Sequence, residues 1–382
     1  MSRPVRVLHL IKTLGLGGAE TNLLNLVRAF DPARVESHIG YSHGGEIEAS
    51  FLRAGVRLFK YAESSHKIKS FATCSIILRL AVYIKKHRID IVHTHSFNAH
   101  VWGLLAAKLS GAKVVEHVHD YRYLEADDFK RRRGAVSQFA YIRFFKGLSD
   151  RVVVLTQGNA EYLLKHRFYP AEKIAELQNG IPMQPPAGPN EALKKQLGVP
   201  PGSRVVLTPA RFVPEKNIDL ILDAAPKVLK RFPDTCFLIA GDGPLFEEYK
   251  RQAREADPAG RILMPGFYEN VGELLSIADV FLLPSFLELH SIAILEAISS
   301  RLPVVTSERV GCNSEMFTHG KDALLLDPFS REGWAEALGS LLGDETKRKA
   351  IADAGQALCR ERFEISRVAG KFEELYAGIS AE

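Results

Sequence analysis

Two glutamates, Glu288 and Glu296, lie eight residues apart in a stretch that could bind a polar ligand. The first follows an apolar run that ends at Pro284–Ser285, which predicts a buried strand leading into a turn. The second lies in a segment with helical spacing. The two carboxylates could therefore line one crevice at the carboxyl end of a strand, where open α/β sheets bind ligands. Two solvated glutamates on a surface helix would give the same pattern, so this stretch by itself leaves both interpretations open.

Two cations, Arg211 and Lys216, follow a strand predicted at 204–208. At the end of a strand they could hold a diphosphate, the arginine as a planar fork and the lysine as a point charge. A solvated basic loop is the alternative.

A glycine loop, Gly15–Leu–Gly17–Gly18–Ala–Glu20, separates the first predicted strand from the first predicted helix. Backbone amides at the start of a helix, uncovered by side chains, form a phosphate site. The dinucleotide fingerprint requires glycine where Glu20 stands, which disfavours a Rossmann oxidoreductase. A plain tight turn remains an equal alternative.

Histidines cluster at the ends of two predicted strands: His93, His95, His100, His117 and His119. No acidic or cysteine partner completes a zinc ligand set in this pattern, so we expect no metal. The cluster is more typical of core or cleft-lining residues, and His119 at a strand end is the best functional candidate.

These residues need a scaffold of alternating strands and helices. In the first half, strands are predicted at 5–11, 37–41, 56–58, 91–94, 113–118 and 151–155, and helices at 19–30, 47–54, 70–86, 99–109 and 160–165. A Pro/Gly-rich segment at 179–189 is the natural linker. In the second half, strands are predicted at 204–208, 236–240, 262–264, 280–283 and 303–306, with helices at 217–231, 246–256 and throughout 332–377. The prediction is an α/β chain with two doubly wound domains in tandem and a cleft between them.

The bulk properties agree with a chain of two domains. The 382 residues suffice for two, and 46% hydrophobic and 25% charged residues are typical of a globular protein. Residues 1–189 carry 27 Lys and Arg against 16 Asp and Glu, a net +11, whereas the remainder carries 23 against 29, a net −6. The four cysteines are scattered, which predicts reduced thiols in a cytoplasmic protein. The first apolar run is too short for a signal peptide, so we expect none, and no apolar stretch of the sequence reaches membrane-spanning length.

Together these motifs resemble the retaining glycosyltransferases of family four, the group 1 type with the GT-B fold, over nearly the full length of the chain. The matching residues occur in the order of the family's motifs: Gly17–Gly18–Ala19–Glu20, Val92–His93–Thr–His95, Glu116–His–Val–His119, Gln178–Asn179–Gly180–Ile181, Arg211 with Lys216, Gly241–Asp–Gly–Pro244, Pro265–Gly266–Phe267, and Glu288 with Glu296. The two glutamates separated by seven residues are the hallmark of that family.

The resemblance implies a role for each matching residue. Arg211 and Lys216 would bind the diphosphate of the donor, which Gly17 and Gly18 would approach from the other domain. Glu296 would bind the ribose hydroxyls, and the backbone near Phe267 would hold the base. Glu288 and the residues after it (His290, Ser291 and Ile292) would hold the transferred sugar, with His119 in contact with that sugar. His119, Glu288, Arg211 and Lys216 are thus the predicted catalytic group, and no metal or other cofactor is implied beyond the nucleotide-diphosphate sugar as co-substrate.

The chain departs from the family pattern at three places. Leu289–His290–Ser291 stand where the family has Gly-Phe-Gly, Asn217 replaces the glycine after the clamp lysine, and Arg301 replaces a glycine before Leu-Pro-Val-Val. We expect these side chains to occupy positions where backbone meets the donor sugar in relatives.

The resemblance also implies the domain organisation. We expect an acceptor-side Rossmann-like domain at 1–182 and a nucleotide-sugar domain at 183–364, the two facing across a cleft as in GT-B. A C-terminal helix at about 365–382 is expected to pack back onto the first domain.

The predicted function is transfer of a hexose-type sugar, from a UDP-sugar in preference to a GDP-sugar, to a saccharide or polyprenyl-linked acceptor in cell-surface polysaccharide or glycolipid synthesis. A sugar-nucleotide epimerase or a catalytically silent nucleotide-sugar binding protein of the same fold is the alternative.

A second partner is predicted from residues 129–146, which combine basic and aromatic residues at near-helical spacing. This pattern fits peripheral contact with an anionic membrane on its cytoplasmic face, and equally a core-facing aromatic stripe with a solvated basic edge. No nucleic-acid recognition module is visible.

Overall fold

The computed structural model describes residues 3–62, 71–119, 147–184, 190–308 and 311–381. The chain divides into two compact units. Unit 1 comprises Met1–Gly180 together with Ile365–Glu382, and unit 2 comprises Ile181–Glu364. The predicted membrane segment 129–146 lies outside the described residues.

Unit 1 is built on a parallel sheet with the strand order β3-β2-β1-β4-β5-β6-β7. Its strands are β1 (Val5–Leu10), β2 (Val35–Tyr41), β3 (Arg57–Lys60), β4 (Ile91–Thr94), β5 (Lys113–Val118), β6 (Arg151–Val154) and β7 (Ile174–Glu176). Its first helices are α1 (Gly18–Ala29), α2 (Glu48–Arg53), α3 (Phe71–His87), α4 (Phe97–Ser110) and α5 (Gln157–Lys165).

Both faces of this sheet are covered. Val7, Ile91 and Val115 belong to one apolar cluster together with residues of α1, whereas Leu8 and Val92 belong to another with α3 and α4. Because successive side chains of a strand point to opposite faces, a strand covered on both sides is mostly apolar. The central strands therefore appear in the sequence as mainly apolar runs, into which the buried His9, His93 and His117 are set.

Unit 2 repeats the plan with the order β10-β9-β8-β11-β12-β13, again parallel. Its strands are β8 (Arg204–Pro209), β9 (Thr235–Ala240), β10 (Ile262–Gly266), β11 (Val280–Leu283), β12 (Val304–Ser307) and β13 (Leu324–Leu326). Its helices are α6 (Glu191–Gln196), α7 (Ile218–Arg231), α8 (Phe246–Ala256), α9 (Val271–Ser276), α10 (Ile292–Ser299), α11 (Asn313–Met316), α12 (Trp334–Gly343) and α13 (Glu345–Arg362).

The last helix, α14 (Ile365–Ala381), belongs to unit 1 although it follows unit 2 in the chain. Its residues Val368, Phe372 and Tyr376 are at most 2% exposed and lie in the cluster that contains Val7 and Ile91. The Tyr376 hydroxyl also lies 2.7 Å from Nδ1 of His93 on β4. Each such buried side chain contributes about 1.5–3 kcal/mol, so α14 is a structural part of unit 1.

The strand orders explain where ligands can bind. In each unit the order reverses beside the first strand, between β1 and β4 in unit 1 and between β8 and β11 in unit 2. Doubly wound sheets bind ligands outside the carboxyl ends of the two strands at such a point. These ends lead into the glycine loop and His95 in unit 1, and into Arg211 and Glu288 in unit 2.

The predicted α/β class with two doubly wound sheets is confirmed. The edge strands β7 and β13 escaped prediction, since each has three residues, too few for a hydrophobic pattern to show.

Candidate functional site

Unit 2 brings the predicted clamp lysine into contact with the first predicted glutamate. Lys216 Nζ donates to Glu288 Oε1, and Ser285 Oγ donates to the same oxygen at 2.9 Å. The two side chains are 23% and 11% exposed, so water screens this ion pair only in part. Lys216 lies on the loop that follows β8, and Glu288 on the loop that follows β11. Pairing of these neighbouring strands therefore brings together residues 72 positions apart.

Arg211 lies on the same loop, directly after β8, with an exposed side chain. Its guanidinium forms no ion pair with any described residue. The loop is held close to the 241–244 turn, where a Cβ on Gly241 would lie 1.9 Å from the carbonyl oxygen of Ala210. The turn predicted at Gly241–Asp–Gly–Pro244 therefore supports the arginine loop from behind, and its glycine is required by this close approach.

The loop that carries Glu288 is also shaped by a glycine. Gly311 has a φ of +57°, and a Cβ there would lie 1.8 Å from the carbonyl oxygen of Glu288. Cys312 donates its backbone N–H to the Leu289 carbonyl at 3.0 Å. The segment from Gly311 thus holds the Glu288 loop at backbone level and leaves the glutamate side chain toward Lys216.

Asn217 occupies the left-handed region, with φ 54° and ψ 42°, where the family pattern has glycine. Its buried amide donates to the carbonyl oxygens of Pro284 at 3.1 Å and of Pro328 at 3.0 Å. Asparagine tolerates this conformation better than most residues. The side chain connects the Lys216 loop to the Pro284 turn, so the expectation that Asn217 faces the donor sugar is wrong.

Arg301 also has a positive φ, 60°, just after helix α10 and its C-cap residue Ser300. Its exposed guanidinium contacts the exposed carboxylate of Asp353. The family glycine at this position is explained by the left-handed residue that commonly follows a helix. Arg301 thus contacts α13, and the expectation that it faces the donor sugar stays a prediction.

Helix α10 follows the Glu288 loop and carries Glu296 in its second turn. The carboxylate of Glu296 has no hydrogen bond or ion pair to any described residue. Burial raises the pKa of Glu296 to about 7. A half-buried carboxylate without a partner among the described residues is suited to accept hydrogen bonds from ligand hydroxyls.

The three residues before Ala293 point mainly into unit 2. His290 is 5% exposed and its ring lies 5.4 Å from that of Phe363, at 79°. Burial lowers its pKa to about 3, so the ring is neutral. Ser291 and Ile292 are both 8% exposed, and Ile292 belongs to the apolar core. Of this predicted donor-binding set, the backbone amides at the start of α10 are the groups suited to reach a ligand.

Two further aromatic features adjoin this face. Phe267, the residue predicted to lie near the base, follows β10 and is 59% exposed. Phe286 stacks on Phe329 with ring centroids 5.1 Å apart, and both rings are exposed. The Phe286 N–H donates to the carbonyl of Glu215 at 2.8 Å, which places the aromatic pair beside Lys216. Sequence reasoning missed this pair, because its members are 43 residues apart and show no common motif.

In unit 1, Gly17 is the N-cap of α1 and Gly18 its first residue. A Cβ on Gly17 would lie 2.3 Å from Oε2 of Glu20, so that carboxylate covers the glycine. Burial raises the pKa of Glu20. A carboxylate at the third helical position commonly caps the helix start. A phosphate that binds Gly17 and Gly18 would have to displace it, and the role of these glycines stays a prediction.

Of the histidines predicted to cluster, His93, His95, His117 and His119 do so, and β1 adds His9. His100 lies beside Thr94 and Glu116, with its Nε2 3.8 Å from the Glu116 carboxylate. His9 Nδ1 lies 3.3 Å from His95 Nε2, and His95 Nδ1 lies 3.1 Å from His119 Nε2. The ring of His117 stacks on that of His119 at 3.9 Å. Burial lowers the pKa of His9 and of His119 to about 3, so both rings are neutral. His9 was missed because its strand has one histidine amid apolar residues, which gives no motif.

Neutral imidazoles are also metal ligands. Ring nitrogens lie within 4.8 Å of one another in two sets, His9 with His93 and His95, and His95 with His117 and His119. Both sets need a free nitrogen on His95, whose two nitrogens are already at hydrogen-bonding distance from other histidines. Nitrogen separations of 3.1 and 3.3 Å suit an N–H···N hydrogen bond and equally two ligands of one metal ion, so the expectation that no metal binds stays a prediction.

Within the described ranges, none of the helices combines the length and apolarity needed to cross a bilayer.

Comparison with known proteins adds to this geometry. A model described as Glycosyltransferase Family 4 matches residues 16–184, and one described as Glycosyl transferases group 1 matches residues 189–358. Among curated relatives, the UDP-Gal:alpha-D-GlcNAc-diphosphoundecaprenol alpha-1,3-galactosyltransferase of Escherichia coli is 26% identical over 338 residues, 85% of each chain. The alpha-D-kanosaminyltransferase of Streptomyces kanamyceticus is 25% identical over 299 residues, 75% of this chain and 77% of its own.

Solved structures match over nearly the whole chain. Anabaena HepE in complex with UDP and glucose aligns with a TM-score of 0.81 at 20% identity, covering 98% of this chain and 99% of that one. The apo form of the lipopolysaccharide outer core galactosyltransferase WaaB aligns with a TM-score of 0.70 at 16% identity, covering 98% of this chain and all of that one. This likeness shows the fold, and the predicted GT-B class is confirmed.

Proposed function

Because this chain belongs to the group 1 glycosyl transferases of glycosyltransferase family 4, and is therefore a glycosyltransferase, we propose that it is a retaining, metal-independent hexosyltransferase. Its donor is a nucleotide-diphosphate sugar, a UDP-sugar in preference to a GDP-sugar. Its acceptor is a saccharide or a polyprenyl-linked saccharide in cell-surface polysaccharide or glycolipid synthesis. The names of the E. coli relative and of the Anabaena complex support this choice of donor and acceptor.

The observation that carries the proposal is the Lys216–Glu288 contact beside the exposed Arg211, at the switch point of the unit 2 sheet. Two cations here can bind a diphosphate and stabilise the negative charge that develops as it leaves. Lys216 already shares its charge with Glu288, so an arriving diphosphate and the glutamate compete for one ammonium group. Glu288 is thereby available to accept hydroxyl hydrogen bonds from the donor sugar while the lysine turns to the phosphate.

The remaining roles follow from position and charge. Glu296 accepts the ribose hydroxyls, and the amides at the start of α10 contribute the partial positive charge of a helix N-terminus. His119 contacts the transferred sugar. Retention without an evident nucleophile uses attack on the face from which the nucleotide departs, with the departing phosphate taking the acceptor proton.

Incubation with a panel of nucleotide sugars tests the proposal. We expect release of the nucleotide with one donor in the presence of acceptor, and NMR of the product to show the anomeric configuration of the donor. An inverted product would overturn retention, and full activity after exhaustive chelation is required for metal independence. Formation of an epimer without nucleotide release would indicate a sugar-nucleotide epimerase, and donor binding without turnover a silent binding protein.

We further propose peripheral contact with an anionic membrane. The segment 129–146 is outside the described residues, but α3 offers a described surface of similar chemistry. Leu78 and Val82 are 60% and 65% exposed, one helical turn apart, and Arg79, Lys85 and Lys86 are exposed beside them. The helix sequence contains no acidic residue. Exposed aliphatic side chains among cations are typical of a helix that lies on anionic lipid.

Sedimentation with vesicles tests the membrane contact. The protein should sediment with vesicles that contain phosphatidylglycerol and remain in solution with phosphatidylcholine alone. Replacing Lys85 and Lys86 by glutamate should abolish sedimentation, whereas the matched reversal of the exposed Lys227 and Lys230 on unit 2 should leave it intact. Equal loss in both variants would assign the effect to net charge and overturn the role of α3.

A further inference from the structure

We propose that His9 and His95 act as positioning residues that set the tautomer and orientation of His119. The three rings form a chain of hydrogen bonds, here called the histidine chain (His9, His95, His119). The inference deepens the proposed function, and rests on it for the statement that His119 contacts the transferred sugar.

The geometry of the histidine chain comes from three neighbouring strands. His9 lies on β1, His95 directly follows β4 and His119 directly follows β5. The rings of neighbouring members lie 5.5 and 5.4 Å apart and are tilted by 31° and 30°. Exposure rises along the chain, from 0% at His9 and 4% at His95 to a half-buried ring at His119. The histidine chain thus runs from the core of unit 1 to its surface.

Burial favours the neutral form of each ring in the histidine chain. Burial lowers the pKa of His9 and His119 to about 3 and that of His95 well below its usual value. A neutral imidazole carries one N–H and one lone pair, so a chain of three rings has two consistent arrangements. Either every ring donates toward His119, or every ring donates toward His9.

The buried end of the histidine chain selects between these two arrangements. His9 Nε2 is buried without a hydrogen-bond partner among the described residues. Orphaned buried N–H groups are rarer than acceptors with an unused lone pair, so this nitrogen should carry the lone pair. The proton of His9 then lies on Nδ1 and is donated to His95 Nε2, and His95 Nδ1–H is donated to His119 Nε2. His119 is left with its proton on Nδ1.

This arrangement gives His119 a defined chemical role. Its Nδ1–H has no hydrogen-bond partner among the described residues and belongs to the half-buried member of the chain. A donor held in this way is suited to an oxygen atom of a sugar hydroxyl or phosphate. Without His95, the His119 ring could exchange tautomers and rotate, and would present a lone pair part of the time.

The tautomers can be read directly by NMR of the full-length protein labelled with 15N-histidine. Two-bond correlations between the ring C–H protons and the ring nitrogens distinguish the Nδ1–H tautomer from the Nε2–H tautomer. Single substitutions assign the signals to individual histidines. We expect His119 in the wild type to be neutral with its proton on Nδ1. A proton on Nε2, or a charged ring at pH 7.5, would overturn the proposal.

Substitutions at His95 test the coupling. In His95→Leu we expect the His119 signals to average between tautomers, whereas in His95→Asn the amide can still donate to His119 Nε2 and should preserve the Nδ1–H form. His93→Asn is the matched control, since this histidine is equally buried, contacts the same rings and lies outside the chain. An unchanged His119 in His95→Leu would contradict the coupling, and the wild-type spectrum decides the tautomer even where that variant fails to fold.

Activity separates this inference from the proposed function. We expect His95→Leu to lower kcat about 10-fold to 100-fold with KM for the donor little changed, and His95→Asn to restore most of it. If substitution of His95 changes the tautomer of His119 but His119→Ala leaves turnover unchanged, the role of the histidine chain is supported. The contact between His119 and the sugar is then contradicted. Stoichiometric zinc binding that shifts the His95 and His119 nitrogens together would replace the hydrogen-bonded chain by a metal site and overturn it.

Discussion

Lys216 and Glu288 carry opposite charges. A nucleotide-diphosphate sugar would bind the lysine through its diphosphate and the glutamate through its sugar. In the free protein they contact each other, partly buried, with Ser285 on the same carboxylate oxygen. Both members were predicted from sequence as site residues, but their contact was not. The contact matters because it prepositions the ammonium group without leaving either charge unpaired.

Replacing Lys216 by alanine should weaken donor binding by at least 10-fold, about 1.4 kcal/mol, because a hydrogen bond between charged groups is lost. Isothermal titration with the donor found in the panel measures this. Lys230→Ala, an exposed lysine of the same unit, is the control and should bind as the wild type does. Unchanged affinity in Lys216→Ala would remove this residue from the diphosphate site.

Glu296 should make the stability of unit 2 depend on pH. Its folded pKa of about 7 lies above the usual value of 4.5 because of burial, so the folded form binds the extra proton between those values. Stability from this group is complete below pH 4.5 and is lost as pH rises through 7. Glu296→Gln should therefore be more stable than the wild type at pH 8.5, by roughly 2–3 kcal/mol, and equal to it near pH 4.5.

Urea unfolding of both proteins at a series of pH values measures this difference, since all other titrating groups are shared. Donor binding provides an independent check. The charged carboxylate is the better acceptor, so donor affinity of the wild type should rise between pH 6 and 8 while that of Glu296→Gln stays flat. A stability difference that grows toward low pH would contradict the raised pKa.

At the scale of elements, the site depends on two loops that follow β8 and β11. Asn217, in a left-handed conformation, joins them by donating to the carbonyl of Pro284, and it also donates to the carbonyl of Pro328 after β13. The sequence has asparagine where the family pattern has glycine, and by itself this suggested a changed ligand surface. The structure shows that the residue tolerates the same backbone and adds two hydrogen bonds between loops.

Substitutions at Asn217 separate these two contributions. Asn217→Gly keeps the conformation and loses the hydrogen bonds, and should cost about 1–2 kcal/mol. Asn217→Ala loses the same bonds and keeps a Cβ in the left-handed region, which alanine tolerates less well than asparagine, so it should cost about 1–2 kcal/mol more than Asn217→Gly. Urea unfolding followed by the fluorescence of Trp334 in unit 2 measures both. Equal stability of the two variants would mean that the positive φ contributes nothing.

At the scale of the whole molecule, the two units differ in the number of buried histidines. In the described part of unit 1, eight histidines have lowered pKa values because of burial, namely His9, His38, His87, His93, His95, His100, His117 and His119. In the described part of unit 2, the one histidine with a pKa lowered by burial is His290. A histidine that is buried neutral must take up a proton on unfolding in acid, and this favours the unfolded state below about pH 6.5.

Unit 1 should therefore unfold at a higher pH than unit 2 as the solution is acidified from pH 7. The two tryptophans of the chain report the units separately, Trp102 in unit 1 and Trp334 in unit 2, both at most 2% exposed. Acid titration of Trp334→Phe and Trp102→Phe variants follows one unit each. Loss of the Trp334 signal before that of Trp102 would contradict the prediction.

Sequence by itself determined the α/β class, the two doubly wound units, the family and most of the residues at the switch points. Periodic apolar runs and short motifs are local, so each is legible in one stretch of chain. Strand pairing decided the rest, because contacts between residues far apart depend on which strands are neighbours and in what register. The Lys216–Glu288 pair, the loop link through Asn217 and the histidine chain all arise in this way. Glu288 and Glu296, first visible as two carboxylates in one stretch, are thereby distinguished as a paired charge and a desolvated carboxylate with a pKa near 7.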